Sequence, residues 1–160
     1  MAKKTKYIPE GYHTATPYLI VNGAARAIEF YKQAFGATEV MRIGAPGGKV
    51  GHAEIKIGDS IIMLADEFPE FGSLSPQSTG GSGTGLHIYI EDVDSAFDRA
   101  VKAGATVEMP VADMFWGDRY GKLRDPFGHK WSIGTHKADL SMEEMKKGME
   151  ETMANMPKSA

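Results

Sequence analysis

The sequence predicts an α+β protein made of two βαβββ units followed by a C-terminal helix. Three observations carry that prediction. The segment from Tyr18 to Thr38 aligns with the segment from His87 to Thr106, with one gap inside the helix and the strands superposed at a shift of 69 positions. Repetition of this kind marks a duplicated supersecondary unit. Each unit also holds one stretch of apolar residues at helical spacing: Ala24, Ala27, Ile28, Tyr31 and Phe35 in the first, and Val93, Ala96, Phe97, Ala100 and Val101 in the second. Finally, the stretches around these helices alternate apolar and polar residues with a period near two, as half-buried strands do.

Taken in order, residues 1–11 form a polar lead. Thr14 to Val21 reads as a strand, and Pro17 marks an edge or a bulge, because proline donates no N–H to a ladder. The first helix starts at Asn22, whose side chain suits an N-cap, and stops at Gly36, where a left-handed C-cap is wanted. Glu39 to Ile43, Val50 to Ile57 and Ser60 to Ala65 follow as strands, with turns at Ala45-Pro46-Gly47-Gly48 and Gly58-Asp59. The connector from Phe68 to Thr84, rich in Ser, Gly and Pro, has the length of a functional or mobile segment. The second unit holds a strand from Gly85 to Ile90, a helix capped by Asp92 and ended by Gly104, and strands at Thr106 to Val111, around Arg119 and at Lys130 to Ile133. Ser141 and Glu144 make a capping box for a last helix, along which Met142, Met145, Met149 and Met153 form an apolar stripe. Such a stripe is expected to bury against the sheet or against a second subunit. The expected organisation is a lead at 1–11, one domain at 12–137 (modules 12–67 and 85–137 around the connector 68–84), and a helix with its tail at 138–160.

A chain of 160 residues suits one domain of common size. With 42% hydrophobic and 24% charged residues it has the composition of a globular protein. The net charge of −3 supplies no basic field for phosphate backbones, so nucleic acid is not an expected partner. No cysteine is present, which removes disulfides, thiolate zinc sites, iron–sulfur ligation and cysteine nucleophiles; a metal would depend on His, Asp or Glu. No apolar run approaches the ~20 residues of a membrane span. The Lys3-Lys4 start lacks the apolar core of a signal peptide, so no membrane association and a cytoplasmic location are expected.

The densest chemistry lies between Asp113 and His136, where both tryptophans sit among charged residues and histidines. Asp125-Pro126-Phe127-Gly128 is a turn: Pro126 presets φ, Asp125 hydrogen-bonds the backbone ahead of it, and Gly128 accepts a positive φ. Tyr120 to Arg124 and Lys130 to Gly134 then pair as a hairpin.

Several segments carry a family likeness. They are Ala27-Ile28-Glu29-Phe30-Tyr31, Phe35-Gly36-Ala37, Ile57-Gly58-Asp59, Glu91-Asp92-Val93-Asp94 and Asp125-Pro126-Phe127-Gly128-His129. Together they resemble the vicinal oxygen chelate superfamily, the group of glyoxalases, bleomycin-resistance proteins and extradiol dioxygenases. His52-Ala53-Glu54 and Phe115-Trp116-Gly117-Asp118-Arg119-Tyr120 are similar to its PhnB-like branch. The resemblance spans roughly residues 12–136. It implies two modules whose sheets curve round a shared cleft with helices outside, a homodimer, and, in many members, a divalent metal held from the first and fourth strands of each module. Those positions map to Thr16 and Met63 in the first module and to Gly85 and Ser132 in the second. None is an ordinary metal ligand, so the standard metal site is not expected, nor is standard glyoxalase or dioxygenase chemistry.

Strand alternation from the mapped positions assigns the cleft face. It comprises Thr14, Thr16 and Tyr18, then Ile61, Met63 and Ala65, then Gly85, His87 and Tyr89; His52, Glu54, Lys56 and Lys130 also turn inward. Trp116, Arg119 and Tyr120 stand at the mouth, Trp116 to stack on a flat ligand and Arg119 to pair with an acidic group or with Asp118. Glu54 and His87 are the candidates for a general base. His52, Glu54 and His87 are the candidates for a non-standard metal site. His13 and His136 read as solvated loop residues, Trp131 as core and His129 as structural. Two functions follow. One is a binding protein for a small aromatic or amphipathic molecule, in the manner of bleomycin-resistance proteins and with no cofactor. The other is a metal-dependent lyase, isomerase or dioxygenase with ligands drawn from His52, Glu54 and His87.

Overall fold

The computed structural model describes residues 5–156. Its first module contains β1 (Tyr18–Val21), α1 (Ala24–Phe35), β2 (Thr38–Gly44), β3 (Val50–Ile57) and β4 (Ser60–Asp66). A short helix, α2 (Pro76–Thr79), leads to β5 (Gly85–Tyr89), α3 (Val93–Lys102), β6 (Thr106–Asp113), β7 (Asp118–Arg124) and β8 (Lys130–His136); α4 (Met142–Ala154) ends the chain's regular structure. The strands form two four-stranded sheets ordered β1-β4-β3-β2 and β5-β8-β7-β6. The repeat holds in register: Tyr18 pairs in parallel with Met63, and their repeat mates His87 and Ser132 pair in the same way.

Each helix covers one face of its sheet, and the helix-bearing faces share one core. Phe35 of α1 lies 4.7 Å from the Trp131 ring of β8, and Tyr31 lies 5.3 Å from it. Tyr31 also donates a hydrogen bond of 2.7 Å to Asp125 in the β7–β8 turn. The modules are therefore welded through their apolar sides, which leaves the opposite face of each sheet open.

The structure corrects several boundaries. β1 begins only after Pro17, whose missing N–H ends the ladder there. Asn22 does not cap α1: Gly23 takes the cap position at φ 102° with no side-chain cap bond. The orphan amides go instead to Asp66 at the end of β4, which accepts from Gly23 N at 2.8 Å, Ala24 N at 2.9 Å and Val50 N at 2.7 Å. Its carboxylate at a helix N-terminus also complements the helix dipole. The repeat mate of Asp66 is Thr135, whose hydroxyl accepts from Val93 N of α3 at 3.0 Å. Asp92 caps α3 and Ser141 with Glu144 caps α4, both as expected.

The connector is largely exposed but carries structure of its own. Glu67 gathers Ser75 N and the Ser78 hydroxyl, and a short helix forms beyond it. Gly148 of α4 sits on the Phe115 side chain, so close that an added Cβ would approach it to 2.7 Å. The expected burial of the methionine stripe is not met within one chain, because Met142, Met149 and Met153 remain 66%, 47% and 63% exposed.

Candidate functional site

On the open face of the first sheet, register lines up Tyr18, Met63, Glu54 and Met41 across β1, β4, β3 and β2. His52 stands two residues from Glu54 on β3, opposite Ile43. Glu54 is buried and accepts a hydrogen bond from Tyr12, which reaches in from the segment before β1. Glu54 Oε1 also lies 3.2 Å from His52 Nε2, and His52 Nδ1 lies 3.0 Å from the Tyr18 hydroxyl. The Tyr12 bond, helped by His52, holds the Glu54 carboxyl below the usual carboxylate range against the effect of burial. The same bond pushes the Tyr12 phenol up to about 12, while burial raises Tyr18.

The second sheet carries a row of His87, Ser132 and Lys122, with Tyr89, Gly134 and Tyr120 beside it. His87 Nδ1 lies 2.8 Å from the Ser132 hydroxyl. Its ring stacks on Tyr120 at 5.7 Å and meets the Tyr89 ring edge-on at 4.6 Å. Partial burial pushes the His87 imidazole down, against the pull of Asp118. Lys130, Lys122, Tyr120 and Ser132 line a pocket of about 290 Å³ at one end of this face.

Asp118 organises the other end. It is only 4% exposed and gathers Trp116 Nε1 at 3.0 Å, the Tyr89 hydroxyl at 3.3 Å and His136 Nδ1 at 2.7 Å. His136 is thus no loop residue: β7–β8 pairing runs on to Asp118 and His136, and the ring bridges Asp118 and Asp139. Bonds to Asp139 and Asp118 raise its pKa. Trp116 is held by the turn at Gly117, where φ is 97° and a Cβ would strike the Ala138 carbonyl oxygen.

Thr16, Tyr18 and His87 line a common groove of about 770 Å³ between the edge of β1, the start of β5 and the glycine-rich end of the connector. Both modules therefore contribute to one hollow. Arg119 does not join it. Alternation along β7 turns it toward α3, where Nε and Nη2 grip Asp94 at 2.6 and 2.7 Å and Nη1 meets Asp113 at 3.2 Å. Ile61 and Ala65, expected on the cleft face, are closed over at 8% and 4% exposure. His129 Nε2 donates to the Ile20 backbone carbonyl at 2.9 Å, a contact that fits a structural role.

His52 and Glu54 converge, but His87 is engaged with Ser132, and among the described residues no three His, Asp or Glu side chains are placed to hold a metal ion. The four mapped positions offer a threonine hydroxyl, a thioether, no side chain at Gly85, and a serine hydroxyl already bonded to His87. That donor set does not fit a divalent metal. Sequence reasoning missed Tyr12, which obeys no strand period, and the hub role of Asp118. Alternation with Tyr120 would have placed Asp118 on the open face.

Two βαβββ modules that share a core and border a common groove define a protein of the paired-module class. The family model of the Glyoxalase/Bleomycin resistance protein/Dioxygenase superfamily matches residues 12–133, and the chain belongs to that superfamily. Rv0887c, an uncharacterized protein of Mycobacterium tuberculosis (strain ATCC 25618 / H37Rv), is 43% identical over 137 residues, 84% of this chain and 81% of its own. The crystal structure of the AT5G48480 gene product of Arabidopsis thaliana is 28% identical, with a TM-score of 0.62 over 76% of this chain and 98% of that one. A PhnB protein from Bacillus cereus shares the fold at 18% identity and a TM-score of 0.59, over 77% of this chain and 99% of its own.

Proposed function

We propose that this protein is a cytoplasmic, homodimeric member of the superfamily that binds a small aromatic or amphipathic molecule in the groove lined by Thr16, Tyr18 and His87, with Met63, Tyr89 and Tyr120 on the open faces beside it. The observation that carries the reading is that the mapped positions, Thr16, Met63, Gly85 and Ser132, offer no chelating set, while hydrogen-bonded imidazoles and phenols stand close by on the open faces. Concave sites of mixed character with a few convergent polar groups suit organic ligands. His52, Glu54, Ser132 and Lys130 supply the directional contacts, and Trp116 a flat surface held by Asp118. The exposed methionines of α4 support self-association, since a flexible apolar stripe gains by burial against a second copy.

Thermal-shift screening tests the binding reading. An aromatic ligand at 100 times its Kd stabilises the fold by about 2.7 kcal/mol, a rise in Tm of roughly 5–10 °C for a chain of this size. Divalent ions and chelators are expected to leave Tm unchanged. Metal-dependent stabilisation abolished by Glu54→Ala would instead establish the lyase, isomerase or dioxygenase reading. A light-scattering mass of one chain would remove the dimer.

A further inference from the structure

We propose that Glu54, His52 and Tyr18 form a metal-independent proton relay that takes the proton of an acidic hydroxyl, a phenol or an enol, on the bound molecule. This inference rests on the binding reading above and gives its ligand a chemical class. A carboxylate, an imidazole and a phenol stand in sequence: Glu54 Oε1 is 3.2 Å from His52 Nε2, and His52 Nδ1 is 3.0 Å from the Tyr18 hydroxyl.

The hydrogen-bonding inventory sets the direction of the chain. An ionised Glu54 only accepts, so it draws the ring proton to Nε2 and leaves Nδ1 as the acceptor of the Tyr18 hydroxyl. Tyr12 donates to the other carboxylate oxygen and favours the ionised state. A carboxylate that orients an imidazole in this way is the base-and-orienter pair of nucleophilic sites, here aimed at a phenol. Across β2 the ring faces apolar Ile43, so Glu54 and Tyr18 are its titratable hydrogen-bond partners.

Exposure sets which end meets the ligand. The Glu54 and His52 side chains are 11% and 26% exposed, whereas Tyr18 is 49% exposed on the open face beside Met63. Burial raises the Tyr18 pKa, so the phenol carries a proton onward and does not wait as phenolate. The ligand O–H bond breaks and its proton passes to Tyr18 Oη. At the same time the proton of Tyr18 passes to His52 Nδ1. The products are a ligand oxyanion hydrogen-bonded to Tyr18 and an imidazolium paired with Glu54; no electrons change hands.

Two measurements on the full chain decide it. In nitrogen-15 NMR under mildly alkaline conditions, the neutral His52 ring is expected to carry its proton on Nε2, and Glu54→Gln to lose that preference. 4-Nitrophenol serves as the optical probe. Bound to the wild type, its apparent pKa should fall by about one unit or more, a tenfold gain in its ionisation constant, read as phenolate absorbance. His52→Gln should bind it, by equilibrium dialysis, without that gain. An Nδ1–H tautomer overturns the relay, as does wild-type protein that binds the probe with its ionisation unchanged; the latter leaves the binding reading standing. Failure to bind 4-nitrophenol at all counts against both.

Discussion

Asp125→Ala is expected to lower the stability of the protein by roughly 4 kcal/mol, a large part of the 5–15 kcal/mol typical of a domain. The turn that carries Asp125 is short, but its carboxylate serves four donors. Oδ2 accepts from the Tyr31 hydroxyl at 2.7 Å and Trp131 Nε1 at 2.8 Å, and Oδ1 accepts from the amides of Phe127 and His129, both at 2.9 Å. Tyr31 and Trp131 are 0% and 1% exposed, so water does not replace the lost acceptor. Each stranded buried donor costs about 1–3 kcal/mol. Burial and the carboxylate keep the Tyr31 pKa well above its ordinary value, which keeps the phenol a donor. Asp125→Asn should fall between wild type and alanine, because it retains one oxygen for the turn amides. Urea denaturation followed by circular dichroism measures both variants. A loss below about 1 kcal/mol for the alanine variant, the size of a single ordinary hydrogen bond, would show that the four donors find other partners.

Trp131→Ala is expected to cost about 3–5 kcal/mol by opening a cavity where the modules meet. Trp131 lies on β8 of the second module, yet its ring packs on Phe35 and Tyr31 of α1 in the first. The cavity therefore weakens the shared core where the two modules meet. Trp131→Phe should cost less, since most of the packing survives and only the Nε1 bond to Asp125 is lost. Because the two residues share that bond, the Asp125→Ala and Trp131→Ala losses should add to more than the double variant shows. Denaturant midpoints for the four proteins test this. Strict additivity would mean that the shared bond carries no coupling energy.

Much of the architecture is legible in the amino-acid sequence. The helices α1 and α3 followed from apolar spacing, and their strands from alternation, because a face that must leave water imposes its period on the chain. The duplication was legible for the same reason, and the pairing of Tyr18 with Met63 and of His87 with Ser132 repeats it in space. The candidate face was half legible. Alternation brought out Tyr18, His52, Glu54 and His87, but Arg119, with the same local chemistry as a ligand contact, turned to Asp94 on α3. Nothing in the order of residues tells a cleft cation from an ion pair.

By itself the amino-acid order determined the elements, their repetition and the side of each strand that leaves water, since these depend on neighbours a few positions apart. Only the tertiary structure decided which donors the carboxylates serve. Asp66 closes the start of α1 from 42 positions away, and Tyr31 finds Asp125 across 94. Tyr12 reaches Glu54 across 42 positions, and Asp118 meets His136 across 18. Such bonds form where folding brings strand ends, turns and helix starts together out of water, and there a buried charge persists only if it finds donors.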